Sequence, residues 1–438
     1  MIERRFLKYV IPSMISMLFG GLYSLIDGLF VGNVLGDVGL AGINLSYPLQ
    51  VVINATAIGI GIGGSVLCSA YKGEKNEERE NAVHNLTIMT LFVIGIILPL
   101  LLLLSKDTLL GFLGAEGEIG KQANIYITTL LYGGIFLMLG NGINPLIRNL
   151  GYTKLATFNM CSGLITNIVL DYFLIFKFHM GMSGAALATM LAQAVVAILN
   201  VGSILYLRGL KIPQKKYVVE LKKIIQIGIA PFGQTLIPSL LIVFTNLACI
   251  KYGGDRALAT YSLISYVLSS VQLLLQGIGD GAQPLFSYYH GAKEEENLNR
   301  VYNLAFFSSI ALAFLLFICT NLYAVNIVKV FGASEGLIDE AVSALRLTSF
   351  SYLFYGIIRA TSAFLYATQK NKFASILIYL EPCVLAPICL FLFPSLFGMQ
   401  GVWVTYPIMQ VILCVIALVF KSPNLINKKE NLKNAATV

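Results

Sequence analysis

Tyr71-Lys-Gly-Glu-Lys-Asn-Glu-Glu78 and Tyr289-His-Gly-Ala-Lys-Glu-Glu-Glu296 read as two copies of one segment. The match continues to Val83 and Asn85 in the first copy and to Val301 and Asn303 in the second, at one offset of 218. Upstream, Gly59-Ile-Gly61 with Gly63 answers Gly277-Ile-Gly279 with Gly281 at the same offset. Downstream, Gly181-Met182, Gly184 and Gln193 answer Gly398-Met399, Gly401 and Gln410 at 217, and Pro12 pairs with Pro231 at 219. An offset this steady along the chain means a duplicated half, and the fold follows from what each half contains.

Each half is a series of apolar runs. The chain has 438 residues, 57% of them hydrophobic and only 12% charged, with a mean hydropathy of +0.78. A soluble chain carries about a quarter charged residues, so this one cannot coat itself for water. Runs of about 20 apolar residues cross a bilayer as α-helices, which satisfy their own backbone. Twelve spans are expected: 9–33, 40–70, 84–104, 123–147, 155–176 and 184–207 in the first half, then 224–250, 258–287, 301–323, 341–365, 373–393 and 402–420. The basic N-terminal residues precede a run with no small-residue cleavage site, so the first span is retained.

Lysine and arginine in the connections orient the chain. Twenty-two lie on the side of the termini and six on the other, with Arg346 and Arg359 inside a span. The positive side is cytoplasmic, so both termini are inside, and the net charge of +8 is topological rather than a nucleic-acid footprint. Six spans per half make the repeat parallel, with its axis along the membrane normal. The expected fold is an all-α integral membrane protein of twelve transmembrane helices in two six-helix lobes. The boundaries are 1–207 for the first lobe, 208–223 for a basic cytoplasmic linker, 224–421 for the second lobe and 422–438 for a cytoplasmic tail. Rocking one lobe against the other gives alternating access, and a duplicated single chain favours a transporter that works as a monomer.

Ionisable groups inside spans cost several kcal/mol and mark function or pairing. Asp27 is mid-span, and Asp171 follows Asn167 by four residues on one helix face, which Thr189 of the next span extends. Burial and a neighbouring carboxylate both favour proton uptake, while carboxylate, amide and hydroxyl oxygens together suit a sodium ion. The repeat mates of Asp27 are Thr245 or Asn246, and those of Asn167 and Asp171 are Val384 and Ile388. The set therefore belongs to one half, as a specialised site does. Asp280, Glu381, Arg359, Tyr126, Asn141, Asn144 and Gln234 are candidates for the substrate cavity, although polar groups of this kind also brace helices, and Glu381 with Arg359 suits a structural ion pair. The seven cysteines read as small hydrophobes. No Gly-rich Lys-Ser/Thr loop for ATP is present, so the energy comes from an ion gradient or from outside the chain, and no cofactor is expected. The three histidines lie in or beside loops, which argues against an intramembrane enzyme.

The chain resembles the multidrug and toxic compound extrusion (MATE) transporters, in their bacterial DinF- and MepA-like branch. The resemblance rests on Pro12 and Asp27-Gly-Leu-Phe-Val-Gly, Arg148-Asn-Leu-Gly-Tyr-Thr-Lys, Asn167-Ile-Val-Leu-Asp171-Tyr-Phe-Leu-Ile, Gly181-Met-Ser-Gly-Ala-Ala-Leu-Ala-Thr189 and Gly277-Ile-Gly-Asp-Gly-Ala-Gln-Pro, in that order. It implies a V-shaped pair of lobes in a bacterial or archaeal cytoplasmic membrane, expelling organic cations and other drugs against H+ or Na+. It also implies a coupling site at Asp27, Asn167, Asp171 and Thr189, lined nearby by Tyr126, Asn141 and Asn144. Members of the NorM type carry a glutamate where this chain has Gln234, which argues against a second-lobe cation site of that kind. The alternative is a flippase for lipid-linked saccharides, which needs more cavity-facing cations than Arg346 and Arg359.

Overall fold

The structure, a computed structural model, describes residues 2–212, 215–330 and 335–422, with side chains throughout these except at 22–29, 33, 37 and 215. The Asp27 side chain, Pro213 of the linker and all of the tail beyond Ser422 lie outside the described residues. Every described element is helical. In chain order the elements are α1 (Ile2–Gly73), α2 (Glu77–Phe112), α3 (Gly117–Tyr132), α4 (Gly134–Asn149), α5 (Thr153–Asp171), α6 (Gly181–Leu207) and α7 (Glu220–Gly291). Then follow α8 (Glu295–Leu322), α9 (Ala324–Val330), α10 (Ile338–Ser349), α11 (Tyr352–Ala367), α12 (Asn371–Leu380), α13 (Ala386–Phe397) and α14 (Met399–Lys421). Among the described residues eight helices are long and apolar enough to cross a membrane, ten if each bent pair is one span. Counting the two 72-residue helices as two rods each gives twelve passages, as the sequence predicts. Their outward faces are apolar: Leu100, Leu101, Ile198, Phe314 and Leu315 are each more than half exposed. Such faces need lipid as their solvent.

The duplication extends to single backbone angles. α1 breaks at Gly36 (φ 62°, ψ −157°) and α7 at Gly254 (φ 61°, ψ −156°), 218 residues on. That region is open to glycine alone, so the connection expected near residue 36 is a one-residue kink rather than a loop. Lys75 and Lys293 share φ 58°, and Gly181 and Gly398 share φ 57°.

Four expected spans are less regular than the apolar pattern suggests. The fourth breaks at Gly133 into α3 and α4, bent by 61°, and the tenth breaks near Phe350 into α10 and α11, bent by 42°. A side chain at Gly133 would meet Met190 at 2.1 Å, so the break lets α6 come close. The eleventh passes through a π-helical stretch, Glu381–Leu385, where Pro382 has no N–H for the α-helical ladder. Asp171 is likewise followed by a π-helical stretch, Tyr172–Lys177.

The described contacts divide the chain into two compact units. One comprises Leu7–Leu236 and Ser287–Glu295. Here α6 packs against α4 and α5, and α2 against α4. An added Cβ on Gly61 would stand 2.1 Å from the Gly142 carbonyl oxygen, so α1 and α4 touch backbone to backbone. A buried amide ladder ties the same helices: Asn159 Nδ2 donates to Asn200 Oδ1 at 2.9 Å, and Asn200 Nδ2 to the Gly140 carbonyl at 2.7 Å. The linker is strapped to the start of α2, with Arg208 on Glu80 at 2.5 Å and Lys216 on Glu78 at 2.8 Å. The Lys216 hydrogen bond holds the exposed Glu78 carboxyl below the usual carboxylate range.

The other unit comprises Met1–Phe6, Ile237–Phe286 and Glu296–Val438. In it α14 packs on α11 and α13. Leu268, Tyr352, Trp403 and Met409 lie in its core. The Tyr406 hydroxyl shares hydrogen bonds with Thr245 at 2.9 Å and Tyr261 at 2.8 Å. Tyr406 is the repeat mate of Thr189, and Thr245 is a mate of Asp27. At the mates of Asp27 and Thr189 the second half therefore carries neutral hydroxyls that bond each other, Tyr406 also bonding Tyr261, and at the mates of Asn167 and Asp171 it carries Val384 and Ile388.

Candidate functional site

α5 has one buried side and one exposed apolar side. Gly163, Leu164, Asn167 and Asp171 are buried along one face, while Ile165 and Val169 on the other are 62% and 47% exposed. Asn167 and Asp171 are 0% exposed, and Thr189 on α6 is 1% exposed. Val31, Tyr126, Ile175, Met182, Ala185 and Ala186 form a dry apolar cluster bracketing these positions in sequence. Neither polar atom of Asn167, nor the Thr189 hydroxyl, has a hydrogen-bond partner among the described residues. Buried polar atoms without partners are rare and costly, so their retention here asks for a reason. A proton, or a small hard cation wrapped in carboxylate, amide and hydroxyl oxygens, meets that requirement. Among the described residues no group of three His, Cys, Asp or Glu side chains stands together, which is the pattern a transition metal asks for.

The cavity candidates divide by what their atoms do. Tyr126 is 2% exposed and packs in the apolar cluster with Val31 and Met182. Asn144 donates from Nδ2 to the Ala156 carbonyl at 2.9 Å and so ties α4 to α5. Asn141 is half-buried. Gln234 is 6% exposed, and its Oε1 has no hydrogen-bond partner among the described residues.

In the second half the charged candidates gather. Arg359 (4% exposed) and Glu381 (5%) approach to 3.9 Å, and Gln410 Nε2 donates to Glu381 Oε1 at 2.6 Å. Asp280 accepts from Gln276 at 3.3 Å and from the Tyr366 hydroxyl at 3.4 Å. The Arg359 guanidinium stacks 4.6 Å from the centre of the Tyr355 ring. The ion pair read from sequence is present, and α7, α11, α14 and the π-helical stretch converge on it. Gln410, Gln276, Tyr355 and Tyr366 are the members that sequence reasoning missed. Gln410 had a visible signal in its repeat mate Gln193, whereas the two tyrosines look like any of 22.

A sequence signature, that of the MatE family, matches residues 12–173 and again 231–390. The chain belongs to the MatE family. The two matched stretches begin 219 residues apart and end 217 apart, which is the drift of the internal repeat. Among curated MatE relatives, the multidrug export protein MepA of Staphylococcus saprophyticus subsp. saprophyticus is 24% identical over 405 residues, covering 90% of this chain and 88% of the relative. MepA of Staphylococcus haemolyticus is 25% identical over 410 residues, covering 92% and 89%. Solved structures agree on the MATE fold. An outward-facing multidrug resistance MATE transporter of the MOP superfamily superposes with a TM-score of 0.89 at 23% identity, covering 96% of this chain and 95% of the other. A MOP superfamily transporter from Pyrococcus furiosus Vc1 gives the same score at 24% identity with the same coverage.

Proposed function

We propose that this MatE protein is a multidrug efflux transporter, exchanging drug-like organic cations for H+ or Na+ across a bacterial or archaeal cytoplasmic membrane. The support is twofold. The MepA relatives that align over nine-tenths of the chain are named multidrug export proteins. Asn167, Asp171 and Thr189 are fully interred in an apolar helix bundle, where a carboxylate is retained for a purpose. Asp171, with Asp27 from the first helix, takes the coupling ion, and Asn167 and Thr189 supply further oxygens. Ion binding and substrate binding then compete by shifting one lobe, residues 1–207, between two states, while residues 224–421 form the partner lobe. Tyr126, Asn141, Asn144, Gln234, Asp280, Arg359 and Glu381 are the polar candidates for the substrate path. Both termini face the cytoplasm, the protein works as a monomer, and no covalent chemistry is involved. The lipid-linked saccharide flippase is not favoured beside relatives that export drugs.

The test is dye efflux from proteoliposomes under a proton gradient and, separately, a sodium gradient. Wild type moves dye under one of them, and Asp27→Asn and Asp171→Asn lose that dependence. Gradient-driven efflux equal to wild type in Asp171→Asn refutes the assignment of the coupling site.

A further inference from the structure

The start of α2 holds a polar hollow that transport does not explain. An open depression of about 560 Å³ is lined by Lys72, Lys75, Glu77, Glu80, Asn81 and Arg208. A second void of about 10 Å³, room for one water, shares Lys72 and Glu80 as walls and is lined further in by Cys68, Ser69, His84 and Asn149. His84 is 2% exposed and Asn149 6%, yet His84 Nε2 and Asn149 Nδ2 have no hydrogen-bond partner among the described residues.

The duplicated half serves as an internal control. At the offset of 218, Cys68, Glu80, His84 and Asn149 become Phe286, Leu298, Tyr302 and Ala367. There the space is packed solid: Phe286, Tyr302 and Phe364 meet ring to ring at 5.1–6.5 Å. The Tyr302 hydroxyl bonds Thr361 at 2.9 Å. Scaffolding alone is met by the aromatic version. The first half keeps a hollow with a histidine and an amide facing it, at a cost of roughly 1–3 kcal/mol for each unmet polar group.

The charges lining the hollow indicate what fills it. Arg208 is committed to Glu80 at 2.5 Å. Lys72 and Lys75 are exposed and have no ion-pair partner among the described residues, while Glu77 at the rim is exposed to solvent. We propose that this depression binds a phosphate group, carried by a phospholipid headgroup or by a soluble phosphate. Lys72 and Lys75 clamp the phosphate oxygens, Asn81 donates from the side, and one water in the inner void links the anion to His84 and Asn149. Two ammonium groups on one phosphate form charge-assisted hydrogen bonds, and basic pockets at the lysine-rich end of a helix bundle recognise lipid headgroups in this way. Because Arg208 opens the linker and closes the wall, a bound phosphate also fastens the linker to α2.

The full chain purified in detergent is titrated with inorganic phosphate and with glycerol 3-phosphate by phosphorus NMR. Phosphatidylglycerol retained from mixed-lipid nanodiscs is counted by native mass spectrometry. In Lys72→Gln/Lys75→Gln, binding weakens about tenfold or more, and Lys121→Gln, an exposed lysine outside the depression, leaves it unchanged. His84→Tyr, which places at 84 the residue of its repeat mate Tyr302, also weakens binding while keeping the wild-type melting temperature. Saturable soluble-phosphate binding lost in the double variant assigns a free ligand. Selective loss of retained phosphatidylglycerol assigns the headgroup. Equal occupancy in wild type and the double variant, or no binding of either probe to wild type, overturns the proposal, and neither readout depends on transport.

Discussion

Asp171 is a common side chain in an uncommon place, a helix face closed to solvent. It is 0% exposed, and a carboxyl kept inside an apolar span is the ground on which the coupling ion is assigned to it. Asp171→Asn keeps the shape and removes the charge. It is expected to bind dye within a few-fold of wild type by fluorescence titration while its efflux no longer follows the imposed gradient. Arg359 and Glu381 illustrate the opposite use of charge, since each answers the other at 3.9 Å with Gln410 bracing the carboxylate. Arg359→Ala strands Glu381, and a stranded buried charge costs about 3–5 kcal/mol. Thermal unfolding in detergent should therefore show a lower melting temperature for Arg359→Ala than for Arg359→Met/Glu381→Met, which removes both charges. A double variant less stable than the single would mean that the pair itself carries the stability.

At the scale of elements, glycine sets where helices bend and where they touch. Nothing lies within 4 Å of a Cβ added at Gly36, yet its φ of 62° excludes other residues, so Gly36→Ala isolates backbone strain. A loss of about 1–3 kcal/mol is expected, read as a lower melting temperature. Gly20→Ala in the same helix, also with open space around it, should be neutral or stabilising, by up to about 1 kcal/mol. Gly61→Ala acts differently, because its Cβ would lie 2.1 Å from the Gly142 carbonyl oxygen and must push α1 from α4. It should reduce stability more than Gly20→Ala does, without any strain in φ.

For the whole molecule, the distribution of lysine and arginine makes a topological prediction. Cysteines introduced at Lys216 and at Lys121, in a background lacking the native ones, should label from opposite sides of the membrane, Lys216→Cys only from the cytoplasm. Labelling of both from one side would refute the twelve-span arrangement with both termini inside. The same scale governs energy coupling: collapsing the gradient with an ionophore selective for the coupling ion should stop efflux in whole cells, whereas an ionophore for the other ion should not.

The amino-acid sequence by itself determined the bilayer as solvent, the twelve helices and the duplication, because run length, charge scarcity and a constant offset are properties of the chain that folding does not alter. It also singled out Asp171, since an ionisable group in an apolar run is conspicuous wherever it packs, and with it Asn167, one helical turn away, and Thr189 of the next span. Tertiary structure decided what adjacency alone can decide. The Arg359–Glu381 pair gained Gln410 and Tyr355 as partners from helices distant in sequence. Asn144 proved to hold α4 to α5 with its amide nitrogen. The fourth and tenth spans broke in two where apolar patterning showed no interruption. Hydropathy reports how a residue meets its solvent. Which polar atoms find partners, and which of two duplicated halves keeps a hollow at Glu80 and His84, depends on side chains that only the folded chain brings within 3–4 Å of one another.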